Sequence, residues 1–399
     1  MPEASVLGDA SRLASAGVAT REAQPHREPL HLAFFVADLL GGGAERMMVA
    51  LANGLSDRVA RLDLVVARAE GPYLDEVAEG MRVVDLGGST TASVLPALTR
   101  YLRANRPDAL MSTLSHANLI AVIATRLARV PTRVVVREAS TPGVEAINWA
   151  HPKAAIARLM MNRTYRMADG IVAVSAGVAE SISEMTGLSL ERIATLYNPV
   201  VTPELSRLAG ESVDHRFFVA KRAPVILSVG NLREVKDHET LIRAFRLVVD
   251  ELDARLLILG EGPERQRLER LVTELGLDEL VDMPGFDKNP FAYMAKADLY
   301  ALTSRREGLP GALVQALACG LPAVATNCRS GPLEVLEGGK LGELVPVGDV
   351  AALGAAMLRT LRDPPDRRLL TAHSAKYESA KVIDDYVAFF RGLVLAPQA

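Results

Sequence analysis

Two β/α series separated by one unpatterned stretch predict an α/β protein built from two doubly wound parallel-sheet domains. Three observations carry this. From residue 31 onward, short apolar runs alternate with longer runs of helical period. The alternation lapses once, over 199–222, and then restarts. Gly/Pro-rich loops follow the first strand of the first series and a late strand of the second, the usual ligand-side connections of such sheets.

The elements follow in order. HLAFFVA at 31–37 reads as a buried strand that stops at the glycine loop Gly41-Gly42-Gly43, and 44–55 continues with helical spacing. Further strands are expected at 62–67, 82–85, 109–112, 133–137, 170–174 and 193–196, with helical patterns between most of them. Residues 199–222 hold two prolines and no clean period, and read as a linker. The second series places strands at 224–229, 255–259, 280–283, 298–302, 322–325 and 342–345, and helices at 350–361 and 376–395. The expected division is a mobile tail at 1–29, a first domain at 30–198, the linker, a second domain at 223–375 and a C-terminal helix at 376–399 that returns toward the first domain.

Composition narrows the function. Of 399 residues, 49% are apolar and 23% charged, too apolar for a disordered chain. Two cysteines, Cys319 and Cys328, exclude a disulfide scaffold and fit a reducing compartment. A net charge of −3 argues against a nucleic-acid partner. That total hides a block at 100–166 with 11 basic and 3 acidic residues, a local excess expected to face an anionic acceptor or a membrane. Within it, 152–167 sets Ile156, Leu159, Met160 and Tyr165 against Lys153, Arg158, Arg163 and Arg166, a basic amphipathic helix suited to an anionic membrane surface. No apolar run reaches the roughly 18 residues of a membrane span. A cytoplasmic protein with at most peripheral membrane contact is expected.

The glycine loop places backbone N–H groups at a helix start, where an anion is favoured. DLLGGGAER is not a dinucleotide fingerprint and lacks a phosphate-loop lysine, which disfavours an oxidoreductase. The segment SRREGLPGALVQALACGLPAVAT at 304–326 is more informative. Glu307 stands in a Gly/Pro-rich loop where a carboxylate can accept hydrogen bonds from sugar hydroxyls. The N–H groups of Gly308, Leu309 and Gly311 can reach a phosphate, and Gln315, on the helix that follows, can reach a ribose.

This segment resembles the E-x7-E region of retaining glycosyltransferases of family 4, which have the GT-B fold of two Rossmann-like domains facing a central cleft. Other pieces agree in order: Gly41–Glu45, Val174-Ser175, Asn198-Pro199, SVGNLREVK at 228–236, GEGPE at 260–264, Gly285-Phe286 and SGP at 330–332. The resemblance covers about residues 31–395. It implies sugar transfer with retention, from a nucleotide-sugar donor that is commonly UDP-linked, without an obligatory metal. The acceptor would be a glycan or a lipid-linked glycan of a bacterial surface polysaccharide.

Residue by residue, the resemblance implies that Arg233 and Lys236 neutralise the donor diphosphate, Glu307 holds donor-sugar hydroxyls and Gln315 the ribose. Phe286 and Lys288 would lie near the base, and His116 would contact the transferred sugar. Gly42, Gly43, Asn231, Glu261, Gly308 and Leu309 complete the implied donor site. Two positions depart from the family: its second glutamate is Gln315 here, and its G-R-L arginine is Asn231. A non-catalytic nucleotide- or partner-binding member is therefore the alternative reading, and a nucleotide-sugar epimerase ranks below it for want of a carboxylate pair.

Overall fold

The computed structural model describes residues 30–40, 42–141, 152–219 and 221–397. The expected tail lies outside these residues. The first domain is one parallel sheet made of β1 (His31–Val36), β2 (Arg61–Val66), β3 (Arg82–Asp85), β4 (Ala109–Thr113), β5 (Arg133–Glu138), β6 (Gly170–Ala173) and β7 (Ala194–Thr195). Its spatial order is β3-β2-β1-β4-β5-β6-β7. The second domain holds β8 (Val225–Val229), β9 (Arg255–Leu259), β10 (Val281–Gly285), β11 (Leu299–Leu302), β12 (Ala323–Thr326) and β13 (Glu343–Val345), ordered β10-β9-β8-β11-β12-β13. Helices cover both faces, so the central strands are largely apolar; β1 from Leu32 to Val36 is fully buried. The two sheets have the same logic. In each, the chain adds strands to one side of the first strand and then crosses back to its other side, at β1/β4 and at β8/β11.

The C-terminal helix Ser379–Leu395 returns to the first domain. Val382, Ile383, Tyr386, Val387 and Phe390 join the core formed by β1 and the helix Gly43–Ser56, with the rings of Phe390 and Phe34 centred 6.1 Å apart. Each such side chain contributes about 1.5–3 kcal/mol by burial. Beside it the two crossing segments pair: Val201 N–H donates to the Tyr377 carbonyl (3.1 Å) and Ser379 N–H to the Val201 carbonyl (2.9 Å). Arg137 is fully buried at this crossing. Its guanidinium donates to Tyr386 Oη (3.2 Å), to Thr113 Oγ1 (3.2 Å) and to Asn198 Oδ1, linking sheet, crossover and return helix.

Residues 199–222 are not a bare spacer. They form the helices Pro203–Ala209 and Arg216–Val219, held on the second domain by Asn289 Nδ2 to the Leu208 carbonyl (3.0 Å) and by Arg216 to Asp282 (3.2 Å). Phe217 is buried there. Pieces of four and seven residues are too short to display a period.

The basic block is also placed differently from the expectation. Several of its arginines cap helix C-termini, whose last carbonyls lack intrahelical donors and carry negative partial charge. Arg103 donates to the Leu127 carbonyl (2.8 Å), Arg126 to that of Met167 (2.7 Å), Arg166 to that of Thr186 (2.6 Å), and Arg133 to that of Ala396. The helix ends at Leu127, Met167 and Thr186 precede strand starts, and Arg133 itself opens β5, so Arg103, Arg106, Arg126, Arg129 and Arg133 stand at the amino edge of the sheet, opposite the ligand edge. The 152–167 helix forms as Pro152–Met167, but its faces divide otherwise than its period suggests. Tyr165 is in the core, while Leu159 (56%) and Met160 (43%) are exposed beside exposed Arg163. The side chains of Lys153, Ile156 and Arg158 lie outside the described residues.

Candidate active site

In a doubly wound sheet, two loops leave neighbouring strands in opposite directions at the switch point and open a crevice beyond the carboxyl ends. Both switch points here carry the chemically distinctive residues. In the second domain, the loop after β8 brings Lys236 and the loop after β11 brings Glu307, and the two meet: Lys236 Nζ is 2.5 Å from Glu307 Oε1. Ser304 Oγ donates to the same oxygen at 2.6 Å. The Glu307 carboxylate is about nine-tenths buried and Lys236 is about seven-tenths buried. An ammonium held by a short pair in that setting is a fixed positive charge rather than a mobile surface one.

The β8 loop is locked to its neighbour. Thr303 Oγ1 donates to the Lys236 carbonyl (2.9 Å), Arg305 N–H to the Val235 carbonyl (2.8 Å), and Arg305 Nε to Asp237 Oδ2 (3.0 Å). Asp237 adopts a left-handed backbone (φ 49°) and caps the helix His238–Val249 through Thr240 N–H. His238 is buried behind it; burial and the Lys236 charge push its imidazole down to about 4, so it is neutral at pH 7. Its place is structural.

The remaining expected donor residues follow along the same edge in strand order. Asn231 and Arg233 are exposed beyond β8, and the Arg233 guanidinium has no polar partner among the described residues. Phe286, 71% exposed, and Lys288 stand beyond β10. Gly308 and Leu309 are buried just before the helix Gly311–Ala318, and no backbone acceptor meets their N–H groups among the described residues. Gln315 is half-exposed on that helix. Glu261 is engaged elsewhere: Arg265 grips both its oxygens, at 2.6 and 2.8 Å, and holds the carboxyl below its usual range.

In the first domain, the switch point carries Gly42-Gly43 after β1 and His116 after β4. Gly42 precedes the helix Gly43–Ser56, and a Cβ there would meet the Glu45 carboxylate at 1.9 Å. An acidic group thus already occupies part of that helix start. A Cβ on Gly43 would meet nothing within 4 Å, leaving that side open. His116 is exposed in the first turn of the helix Ser115–Ala128. Leu114, just before it, has φ 72°, a conformation that costs a bulky residue about 1–3 kcal/mol.

The two edges touch at the cleft floor. Ser175 Oγ donates to the Gly308 carbonyl (2.8 Å), and Thr141 Oγ1 lies 3.1 Å from Ser330 Oγ. Glu334 accepts from Ala176 N–H (2.8 Å) and from Tyr197 Oη (2.6 Å), so a carboxylate of one domain caps a helix of the other. Sequence reasoning did not single out Ser304, Thr141 or Glu334. Ser304 could have been found three residues before Glu307; the other two depend on how the domains meet.

Two Rossmann-like domains with charged switch points turned to one cleft define the GT-B class of glycosyltransferase. The comparisons agree. Residues 42–199 match the family model for a glycosyl transferase 4-like domain, and residues 213–377 that for glycosyl transferases group 1. A Campylobacter jejuni N-acetylgalactosamine-N,N'-diacetylbacillosaminyl-diphospho-undecaprenol 4-alpha-N-acetylgalactosaminyltransferase is 30% identical over 283 residues, 70% of this chain and 75% of the relative. The Rhizobium meliloti lipopolysaccharide core biosynthesis glycosyltransferase LpsE is 27% identical over 331 residues, 81% and 86% of the two chains. The Anabaena HepE structure in complex with UDP superposes with a TM-score of 0.74 at 20% identity, covering 91% of this chain and all of that one. The chain belongs to the GT4-type bacterial glycosyltransferases and is a glycosyltransferase of polysaccharide or lipid-linked substrates.

Proposed function

We propose that the protein transfers a hexosyl group, with retention, from a UDP-sugar to a glycan or lipid-linked acceptor, without an obligatory metal ion. The observation that carries this is the Lys236–Glu307 pair at the β8/β11 switch point. Lys236 and unpaired Arg233 meet the diphosphate, whose charge grows as it leaves; the N–H groups of Gly308 and Leu309 add donors at a helix start. Glu307 accepts from donor-sugar hydroxyls, Gln315 binds the ribose through its carboxamide, and exposed Phe286 offers a face to the base, with Lys288 beside it. His116 and the Gly42-Gly43 turn close the site from the first domain.

The acceptor oxygen attacks the anomeric carbon on the face from which the diphosphate departs. The new C–O bond forms as the C–O bond to phosphate breaks, and the acceptor proton passes to a phosphate oxygen. The protein supplies position and charge. The UDP bound by HepE and the diphospho-undecaprenol in the Campylobacter enzyme's name support donor and acceptor classes of this kind. The test is a melting-shift titration. UDP at about 100 times its Kd stabilises by about 2.7 kcal/mol, and ADP and GDP raise the midpoint less. An unmoved midpoint with UDP contradicts the donor assignment.

No helix among the described residues is long and apolar enough to cross a membrane. A lipid-linked acceptor would bring the protein to the cytoplasmic face of a membrane, and the contact would be the exposed Leu159, Met160 and Arg163. Arg166 is not part of this contact because it caps Thr186. Replacing Leu159, Met160 and Arg163 with serine is expected to abolish co-sedimentation with anionic vesicles; unchanged pelleting contradicts the contact.

A further inference from the structure

Beneath His116 lies a buried polar cluster to which none of the roles above gives a task. Asn118, 1% exposed, sits two residues further along the same helix and uses both ends of its carboxamide. Its Oδ1 accepts from Ser112 Oγ on β4 (2.7 Å). Its Nδ2 donates to Glu138 Oε1 (2.9 Å) and to the Arg137 carbonyl (3.2 Å), both on β5. Tyr165 Oη donates to the same Glu138 oxygen at 2.5 Å from the helix Pro152–Met167. Asn118 N–H donates to the Leu114 carbonyl (2.9 Å), closing the turn in which Leu114 is strained.

Strain of this kind persists only where surrounding contacts over-determine it. A buried carboxylate is likewise retained only where it is satisfied. A tight turn needs neither. A turn that must present one exposed side chain at a fixed point above β4 needs both, and that side chain is His116.

We propose that Asn118 is a positioning residue for His116: its side-chain bonds to Ser112, Glu138 and the Arg137 carbonyl anchor the helix start to β4 and β5, and with it the left-handed turn that sets the imidazole over the cleft. This rests on the role given above to His116. Asn118→Asp makes it testable by pH. The new carboxylate would face Glu138, to whose Oε1 the Tyr165 hydroxyl also donates. The Arg137 guanidinium is committed to Thr113, Asn198 and Tyr386. Two buried carboxyls in contact share a proton, which raises the upper pKa of the pair above the ordinary carboxylate range. Below it, an O–H replaces the amide N–H and the turn holds; above it, two anions repel and the turn lets go.

The experiment uses the full chain labelled at the histidine ring carbons, with the His116 resonance identified by its loss in His116→Asn. It also follows UDP release from whichever UDP-sugar of a panel the wild type turns over. In Asn118→Asp the resonance is expected to hold its wild-type position at the acid end of a pH series and to move and broaden at the alkaline end, with kcat falling about a hundredfold over the same range and the KM for donor little changed. Ser112→Ala, nearly volume-neutral, is expected to displace the resonance by a smaller amount at every pH, since it removes one bond to Asn118 and adds no carboxylate. Wild-type resonance and wild-type kcat at all pH values in Asn118→Asp overturn the positioning role. Wild-type turnover in His116→Asn overturns the role given to His116 instead, and the resonance still reports whether Asn118 fixes the ring.

Discussion

Gly308→Ala holds the two domains apart and lowers transfer about a hundredfold or more at saturating donor, with UDP affinity within a few-fold of wild type. The expectation comes from one contact. A Cβ at residue 308 would lie 2.0 Å from the Ala139 carbonyl oxygen and 3.0 Å from Ser140 Cα, both in the other domain. The obstructing atoms are backbone, which cannot rotate away as a side-chain tip does. The backbone of Gly308 is not left-handed, so alanine adds no strain of its own. The second domain therefore folds and keeps its nucleotide face, and the loss falls on closure. In the proposed reaction closure brings His116 to the donor site, and displacements of about 1 Å in reacting geometry cost on the order of a hundredfold. Small-angle scattering is expected to report a larger radius for the variant with UDP than for wild type with UDP. Wild-type kcat in Gly308→Ala contradicts the closed cleft as the working form.

The second large effect concerns the pair itself. Lys236→Ala and Glu307→Ala are each expected to lower kcat/KM by about a hundredfold or more, and the double variant by little beyond the worse single one. In the proposed reaction Lys236 meets the charge of the leaving diphosphate, and removing such a group from a preorganised site costs about 3–4 kcal/mol. It also neutralises Glu307, which otherwise sits nine-tenths buried with Ser304 as its remaining described donor. Groups acting as one unit give non-additive losses. Losses that add fully would mean two separate sites.

Much of this was legible in the chain. Central strands read clearly because both faces are covered and their apolar runs are continuous, as in LAFFV of β1 and VILSV of β8. The Gly/Pro-rich loops at their carboxyl ends marked the ligand edge, while the strand order that makes β1/β4 and β8/β11 the switch points came only from the sheet itself. What sequence could not show was direction. The arginine excess at 100–166 looked like a field aimed at a ligand, yet Arg103, Arg126, Arg133 and Arg166 spend their guanidinium groups on helix carbonyls. A charge count sums residues and ignores which edge of a sheet they occupy. Tyr165 had the spacing of a surface stripe and is buried because it must reach Glu138, 27 positions away in sequence. Asn118, Glu334 and Thr141 were invisible for the same reason: each is defined by a partner on another element, and no local period encodes it.

Retention and the role of Lys236 are read together by following the anomeric proton during turnover of a UDP-sugar with a lipid-linked acceptor extract. UDP release is expected to be coupled to a new glycosidic bond with the donor's anomeric configuration, and that signal to be lost in Lys236→Ala. A product of inverted configuration, or wild-type turnover in Lys236→Ala, would contradict it.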